Sequence, residues 1–138
     1  MFRITIAPDE DKNAWTTCRE QGIICIGWPS RDGDYEPPVM RFHQIQPGDL
    51  VVAHVPESHG GGPCTAMGIG RVTGAYTEIQ RQDLPPGDTW TGAFRRQYPV
   101  EWISLQRQPL RNVAASFRGT VKELTPGEEA AVRQLYGI

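Results

Sequence analysis

Gln46-Pro47-Gly48-Asp49-Leu50-Val51-Val52-Ala53-His54-Val55 joins a tight turn to a continuous apolar run. Proline presets one turn position and glycine supplies the positive φ that another requires, so the turn feeds a strand over Leu50 to Val55. Pro56 to Pro63 holds three consecutive glycines and connects this strand to a second one, Ala66 to Val72. Gly68 and Gly70 lie inside that second strand, where glycine marks a bulge, a sharp bend or a close approach of another backbone.

Working upstream, Ile23 to Ile26 is a short apolar run stopped by Gly27-Trp28-Pro29, the pattern of a strand buried on both faces. Gly22 before it can close a helix in the left-handed conformation, and Asp9, Glu10 and Asp11 favour the start of that helix, which places it over roughly residues 10 to 20. Phe2, Ile4 and Ile6 alternate with polar neighbours as a half-buried strand. Ser30 to Pro38 reads as a polar loop.

Downstream, Thr77 to Gly92 is a long aperiodic loop with Pro85-Pro86-Gly87 at its middle. Tyr98, Val100 and Trp102 alternate as a strand, and Pro99 predicts its start or a sheet edge. Leu110 to Phe117 fits either a short strand or a helical turn. Thr125-Pro126-Gly127-Glu128 is a capping box with proline at the first helical position, and it opens a C-terminal helix. The expectation is one α+β domain over residues 1–138, a small and partly open barrel of five or six strands with peripheral helices.

Composition narrows the function classes. At 138 residues with 38% hydrophobic and 22% charged side chains, the chain has enough apolar surface for one core. The net charge of −2 announces no strong global attraction to a polyanion. It averages two unequal halves: residues 1–70 carry five basic and nine acidic side chains, residues 71–138 nine and seven. Cys18, Cys25 and Cys64 form neither an even disulfide set nor a CxxC pair, which points to a reducing compartment. With no signal-peptide pattern and no membrane-length apolar run, the expected location is the cytoplasm, with no membrane partner.

Catalytic motifs are missing from the sequence. His43, His54 and His59 lack metalloprotease or zinc-site spacing, and no nucleophile elbow is present, so no metal and no cofactor is expected. Asp32 and Asp34 are ordinary residues of a polar loop. Asp34 and His43 are the groups that an enzyme on this scaffold would have to use.

The aromatic and basic residues say more. Trp15 and Trp102 suit core positions. Trp28, held between Gly27 and Pro29 just past a buried strand, fits either the core or the mouth of a barrel. Trp90 lies in a polar Pro/Gly loop, and Tyr76 ends the glycine-bearing strand that leads into it. Such rings either pin a loop or offer a face to a ligand, and stacking on a nucleobase gives about 1 to 3 kcal/mol. Arg71, Arg81, Arg95, Arg96, Arg107, Arg111 and Arg118 all follow the central strand, and guanidinium forks suit phosphate.

The ordered set Asn13-Ala14-Trp15, Gly22-Ile23-Ile24-Cys25-Ile26-Gly27-Trp28, Ile45-Gln46-Pro47-Gly48-Asp49-Leu50-Val51-Val52, Gly68-Ile69-Gly70-Arg71-Val72-Thr73-Gly74-Ala75-Tyr76 and Arg95-Arg96-Gln97-Tyr98-Pro99-Val100-Glu101-Trp102 resembles the motifs of an EVE domain. EVE domains belong to the PUA-like group, with YTH and SRA domains as relatives. The resemblance implies a five- or six-stranded mixed pseudo-barrel that reads a modified base by flipping it into an aromatic cage. In several such proteins it is the specificity module of a modification-dependent restriction system. Trp28 then matches the cage tryptophan, Tyr76 the second aromatic and Trp90 the opposing wall. Asn13 and Asp34 match groups that hydrogen-bond the base edge, with Arg71, Arg95 and Arg96 on flanking phosphates. The implied partner is DNA carrying a modified, methylated base, with a nuclease domain or subunit beside it. An RNA-binding or small-ligand-binding regulatory domain on the same scaffold stands as the alternative.

Overall fold

A computed structural model describes residues 1–6, 14–26, 37–56, 64–78, 96–110 and 121–138. Among them are eight strands and three helices: β1 Phe2–Thr5, α1 Ala14–Gln21, β2 Ile23–Ile26, α2 Pro37–Phe42, β3 Leu50–Pro56, β4 Cys64–Val72, β5 Thr77–Glu78, β6 Arg96–Ser104, β7 Gln108–Pro109, β8 Val121–Glu123 and α3 Pro126–Tyr136. Six strands run side by side in the order β2-β6-β4-β3-β1-β8, with β5 paired to β6 and β7 to β4. β1 and β3 are parallel, and the other pairs are antiparallel. The result is a mixed, curled half-barrel with a few helices, an α+β architecture.

Burial on both faces explains the unbroken apolar run of β3. Val51 and Ala53 join Phe2, Ile4, Ile24, Phe42, Tyr98 and Val100 in one core. Val52 points to the opposite face and packs with Ile69, Leu110, Leu124 and Val132 of α3 in a second. Side chains alternate faces along a strand, so a sheet covered on both sides demands apolar residues at consecutive positions.

The two glycines of β4 are required by close approach. A Cβ on Gly70 would lie 2.3 Å from Val100 Cγ1, 2.9 Å from the Glu101 carbonyl oxygen and 3.0 Å from Trp102 Cε3. A Cβ on Gly68 would lie 2.9 Å from the Ser104 carbonyl oxygen and 3.3 Å from the Trp15 ring. The β4–β6 register shifts between Ile69 and Gly70. Trp15 and Trp102 pack edge to face, centroids 5.2 Å apart, and the Trp102 indole donates to the Cys18 carbonyl at 3.0 Å.

Gly22 adopts φ 65° between α1 and β2, the left-handed closure read from sequence. The first helix runs over Ala14–Gln21, and residues 10–13 of the expected helix lie outside the described residues. Pro99 is interior to β6 instead of at its start. There the partner changes from β2, which ends at Ile23↔Pro99, to β4, whose pairing begins at Val72↔Val100, so the missing N–H breaks no ladder. Leu110 is buried just past β7, and the remainder of the 110–117 segment lies outside the described residues. Thr125 and Glu128 form the expected reciprocal capping box. Cys18 and Cys25 are buried, with Sγ atoms 3.2 Å apart.

Candidate functional site

Strand pairing gathers three strand ends at one end of the sheet. Arg96, the first residue of β6, lies between Ile26, the last of β2, and Glu78, the last of β5. In sequence, residues 27–36 follow Ile26 directly and residues 79–95 join Glu78 to Arg96. α1 doubles back on β2 through the Gly22 turn, which brings the Ala14 end of the helix toward the Ile26 end of the strand.

Tyr76 stands at this end, half-buried and held at its hydroxyl. The phenol donates to Glu78 Oε1 at 2.7 Å and accepts from Arg96 Nη1 at 3.2 Å. Arg96 Nη1 also lies 3.3 Å from Glu78 Oε1, and its side chain is fully buried. Burial first, and then donation to the Glu78 carboxylate, hold the Tyr76 phenol above the ordinary tyrosine range, while Arg96 pulls the other way. A charge-assisted network of this kind fixes both the position and the tilt of the ring.

Three further rings pack around Tyr76. Phe42 and Tyr98 meet it edge to face at 6.3 and 5.6 Å, and each other at 4.8 Å. The Tyr98 hydroxyl donates to the Phe42 carbonyl at 2.8 Å, and burial pushes its phenol up to about 12. His43, at the exposed end, lies 4.3 Å from Tyr76 with the ring planes at 49°. A ladder of aromatic rings thus runs from solvent into the main core.

The residues expected to contact a ligand separate into three groups. Tyr76 is part of this cluster. Arg96 is beneath it, with its guanidinium turned inward on Glu78, so contact with a phosphate would require that ion pair to open. Arg71 is exposed on β4 and donates to the Gly48 carbonyl at 2.9 Å, leaving it on the surface. Asn13, Trp28, Asp34, Trp90 and Arg95 lie outside the described residues. Among the described residues no group of three His, Cys, Asp or Glu side chains comes together as metal ligands, and no helix is long and apolar enough to cross a membrane.

Sequence reasoning missed α2 and with it the role of Phe42 and His43 in the cluster. The adjacent Phe42-His43 pair was the available signal, but only the strand pairing that brings Tyr98 and Tyr76 beside α2 reveals it.

The sequence matches no protein-family model and no curated protein. The fold does match solved structures. The DUF55 domain of human thymocyte nuclear protein 1 superposes with a TM-score of 0.60 at 10% identity, over 99% of this chain and 98% of that one. Human THYN1 protein in complex with 5-methylcytosine-containing DNA gives 0.57 at 9% identity, over 97% and 95%. The YTH domain of Zygosaccharomyces rouxii MRB1 in complex with N6-methyladenosine RNA gives 0.56 at 13% identity, over 98% and 86%. At such identities the likeness is one of backbone, and this chain has the fold that EVE-type and YTH domains share.

Proposed function

We propose that the domain is a non-catalytic reader that takes a modified base out of DNA and holds it against aromatic side chains. The observation that carries the reading is the side-by-side pairing of Ile26, Arg96 and Glu78 next to the immobilised Tyr76 ring. Trp28 and Asp34 follow Ile26 in sequence, and Trp90 and Arg95 precede Arg96, which supports a cage of Trp28, Tyr76 and Trp90. Asn13 and Asp34 would hydrogen-bond the base edge, and Arg71 and Arg95 would meet flanking phosphates. Two proteins of this fold have been solved in complex with nucleic acid bearing a methylated base, one with 5-methylcytosine in DNA and one with N6-methyladenosine in RNA.

Extrusion of a base costs a few kcal/mol of lost stacking, which new aromatic contacts can offset at about 1 to 3 kcal/mol per base. The methyl group itself adds about 1 kcal/mol through apolar burial and dispersion, roughly a fivefold preference. Larger selectivity requires shape exclusion or an unpaired polar group in the wrong complex. In the cytoplasm such a reader would serve as the specificity module of a modification-dependent restriction system, the nuclease residing in a fused domain or a separate subunit.

The test is fluorescence-monitored binding of matched short oligonucleotides carrying cytosine, 5-methylcytosine, 5-hydroxymethylcytosine, adenine or N6-methyladenine, each as DNA and as RNA. A preference for one modified DNA base that Trp28→Ala abolishes is the expected result. Equal binding of modified and unmodified oligonucleotides, lost together as salt rises, refutes the reader. A preference confined to RNA would favour the YTH-like reading that the N6-methyladenosine complex suggests, with the 2′-hydroxyl as the discriminating group.

A further inference from the structure

We propose that His43 is a stacking residue for the nucleobase next to the one that is read, a contact that supplies affinity without selecting the modification. The proposal rests on the reader function and concerns a surface outside the cage of Trp28, Tyr76 and Trp90.

Three observations carry it. First, His43 is exposed yet rises from an ordered backbone. Its amide donates to the Val39 carbonyl at 3.0 Å, the Gln44 amide to Arg41 at 3.0 Å and the Ile45 amide to Phe42 at 3.2 Å. Phe42 and Ile45 are buried on either side of it and anchor the turn. An aromatic ring on such a base loses little rotational freedom when it meets a ligand.

Second, the imidazole is backed by rings that are themselves held in place. It lies 4.3 Å from Tyr76, whose hydroxyl is tied to Glu78 and Arg96, and Tyr76 rests in turn on Phe42 and Tyr98. A base settling on the His43 ring would extend an existing ladder by one member.

Third, the ring is continuous with the candidate site. Tyr76 immediately precedes β5, and β5 pairs with the start of β6, where Arg96 lies between Glu78 and Ile26. Base flipping leaves a neighbouring base with one stacking face vacated, and a planar side chain beside the pocket restores that contact. Every base has a π face, so the contribution is indifferent to sequence and to methylation.

Because His43 is exposed and its backbone makes the turn, His43→Ala should keep the circular dichroism spectrum and melting temperature of the parent protein. Its affinity should fall about tenfold for modified and unmodified oligonucleotides alike, the size of one stacking contact. The ratio between them should not change. His43→Phe should restore the affinity. On an oligonucleotide with an abasic nucleotide beside the target, the parent protein should fall to the level of His43→Ala, and the variant should lose nothing more. Parent-level binding by His43→Ala, or the same tenfold loss on the abasic oligonucleotide, overturns the stacking role while modification preference persists. Absence of modification preference in the parent protein refutes the reader function itself, and this proposal with it.

Discussion

Acid should destabilise this protein through His54. The side chain lies on β3 opposite Thr5 of β1, 4% exposed, with Nδ1 3.2 Å from the Thr5 hydroxyl. Arg3, two residues before Thr5 on the same face of β1, is 1% exposed. Burial, reinforced by the Arg3 charge, lowers the His54 pKa from 6.5 to about 4. Above pH 6.5 the ring is neutral in both the folded and the unfolded chain, and stability is indifferent to it. Below that value the unfolded chain takes up a proton that the native state refuses until about pH 4. Protons bound preferentially to the unfolded state mean that stability falls as pH falls.

The penalty amounts to about 1.4 kcal/mol by pH 5.5 and about 2.5 kcal/mol by pH 4.5, a large part of a typical domain's total. Urea unfolding followed by tryptophan fluorescence at half-unit steps from pH 7.5 to 4.5 measures it. With a denaturant slope of about 2 kcal/mol per molar, the midpoint should drop by about 1 M over that range. His54→Gln retains hydrogen-bonding capacity without a titrating ring, so the difference between the two profiles cancels every other group. That difference should shrink steadily below pH 6.5. A difference that stays flat between pH 6.5 and 4.5 would refute the claim that His54 is kept neutral by burial beside Arg3.

Two glycine substitutions should have opposite signs. Gly70→Ala sets a methyl 2.3 Å from Val100 Cγ1 and 2.9 Å from a carbonyl of the neighbouring strand, and should cost about 3 kcal/mol, lowering the melting temperature by about 10 °C. Gly127→Ala, inside the first turn of α3 with nothing within 4 Å of the new methyl, should stabilise by about 0.5 to 1 kcal/mol; an equal response of both sites in thermal unfolding would contradict the close-approach argument. At the site, Tyr76→Phe keeps the ring and should retain modified-base binding within about threefold, whereas Tyr76→Ala should lose about tenfold or more in the oligonucleotide titration. Comparable losses in both would mean that the hydroxyl, and not the ring face, meets the ligand.

Long periodic elements were legible in the sequence because each carries its own signal. Alternation revealed β1 as a strand but not its burial on both faces, where Arg3 is as buried as Phe2 and Ile4; an unbroken apolar run revealed β2 and β3, and the Thr125/Glu128 box with its proline marked α3. The elements that escaped are those that exist through their neighbours. β5 and β7 are two residues each and β8 is three, held by the strands beside them. α2 is six residues starting at Pro37-Pro38, too short for a helical period and opening with two residues that usually mark loops. The site divides the same way. Tyr76 could be singled out because it lies between a glycine-bearing strand and a long aperiodic stretch, although β4 stops at Val72 and Tyr76 immediately precedes β5 instead of ending a strand. Its attachment to Arg96 could not, since an Arg95-Arg96 pair reads as surface charge, and only the β5–β6 pairing sets Glu78 against Arg96 inside the sheet.

That division bears on what motif resemblance can deliver. The two strongest motifs, around Gln46-Pro47-Gly48-Asp49 and Gly68-Ile69-Gly70-Arg71-Val72, are bonded to one another. The Gly48 amide donates to the Val72 carbonyl at 2.7 Å, the Val72 amide to the Asp49 carbonyl at 2.9 Å, and Arg71 Nη1 to the Gly48 carbonyl at 2.9 Å. Asp49 also accepts from the Gln46 amide at 2.9 Å and closes the turn, which Gly48 makes possible at φ 96°. These residues are constrained by the frame, because any chain that pairs β3 with β4 and brings β6 against β4 meets the same steric and hydrogen-bonding demands. A frame so specified can be shared at 10% identity, because the demands it makes fall on backbone bonds and close approaches and not on the side chains at the Ile26, Glu78 and Arg96 end. It follows that the fold can be carried over from the motifs, but a ligand cannot: that depends on which rings and which polar edges this chain sets around Tyr76.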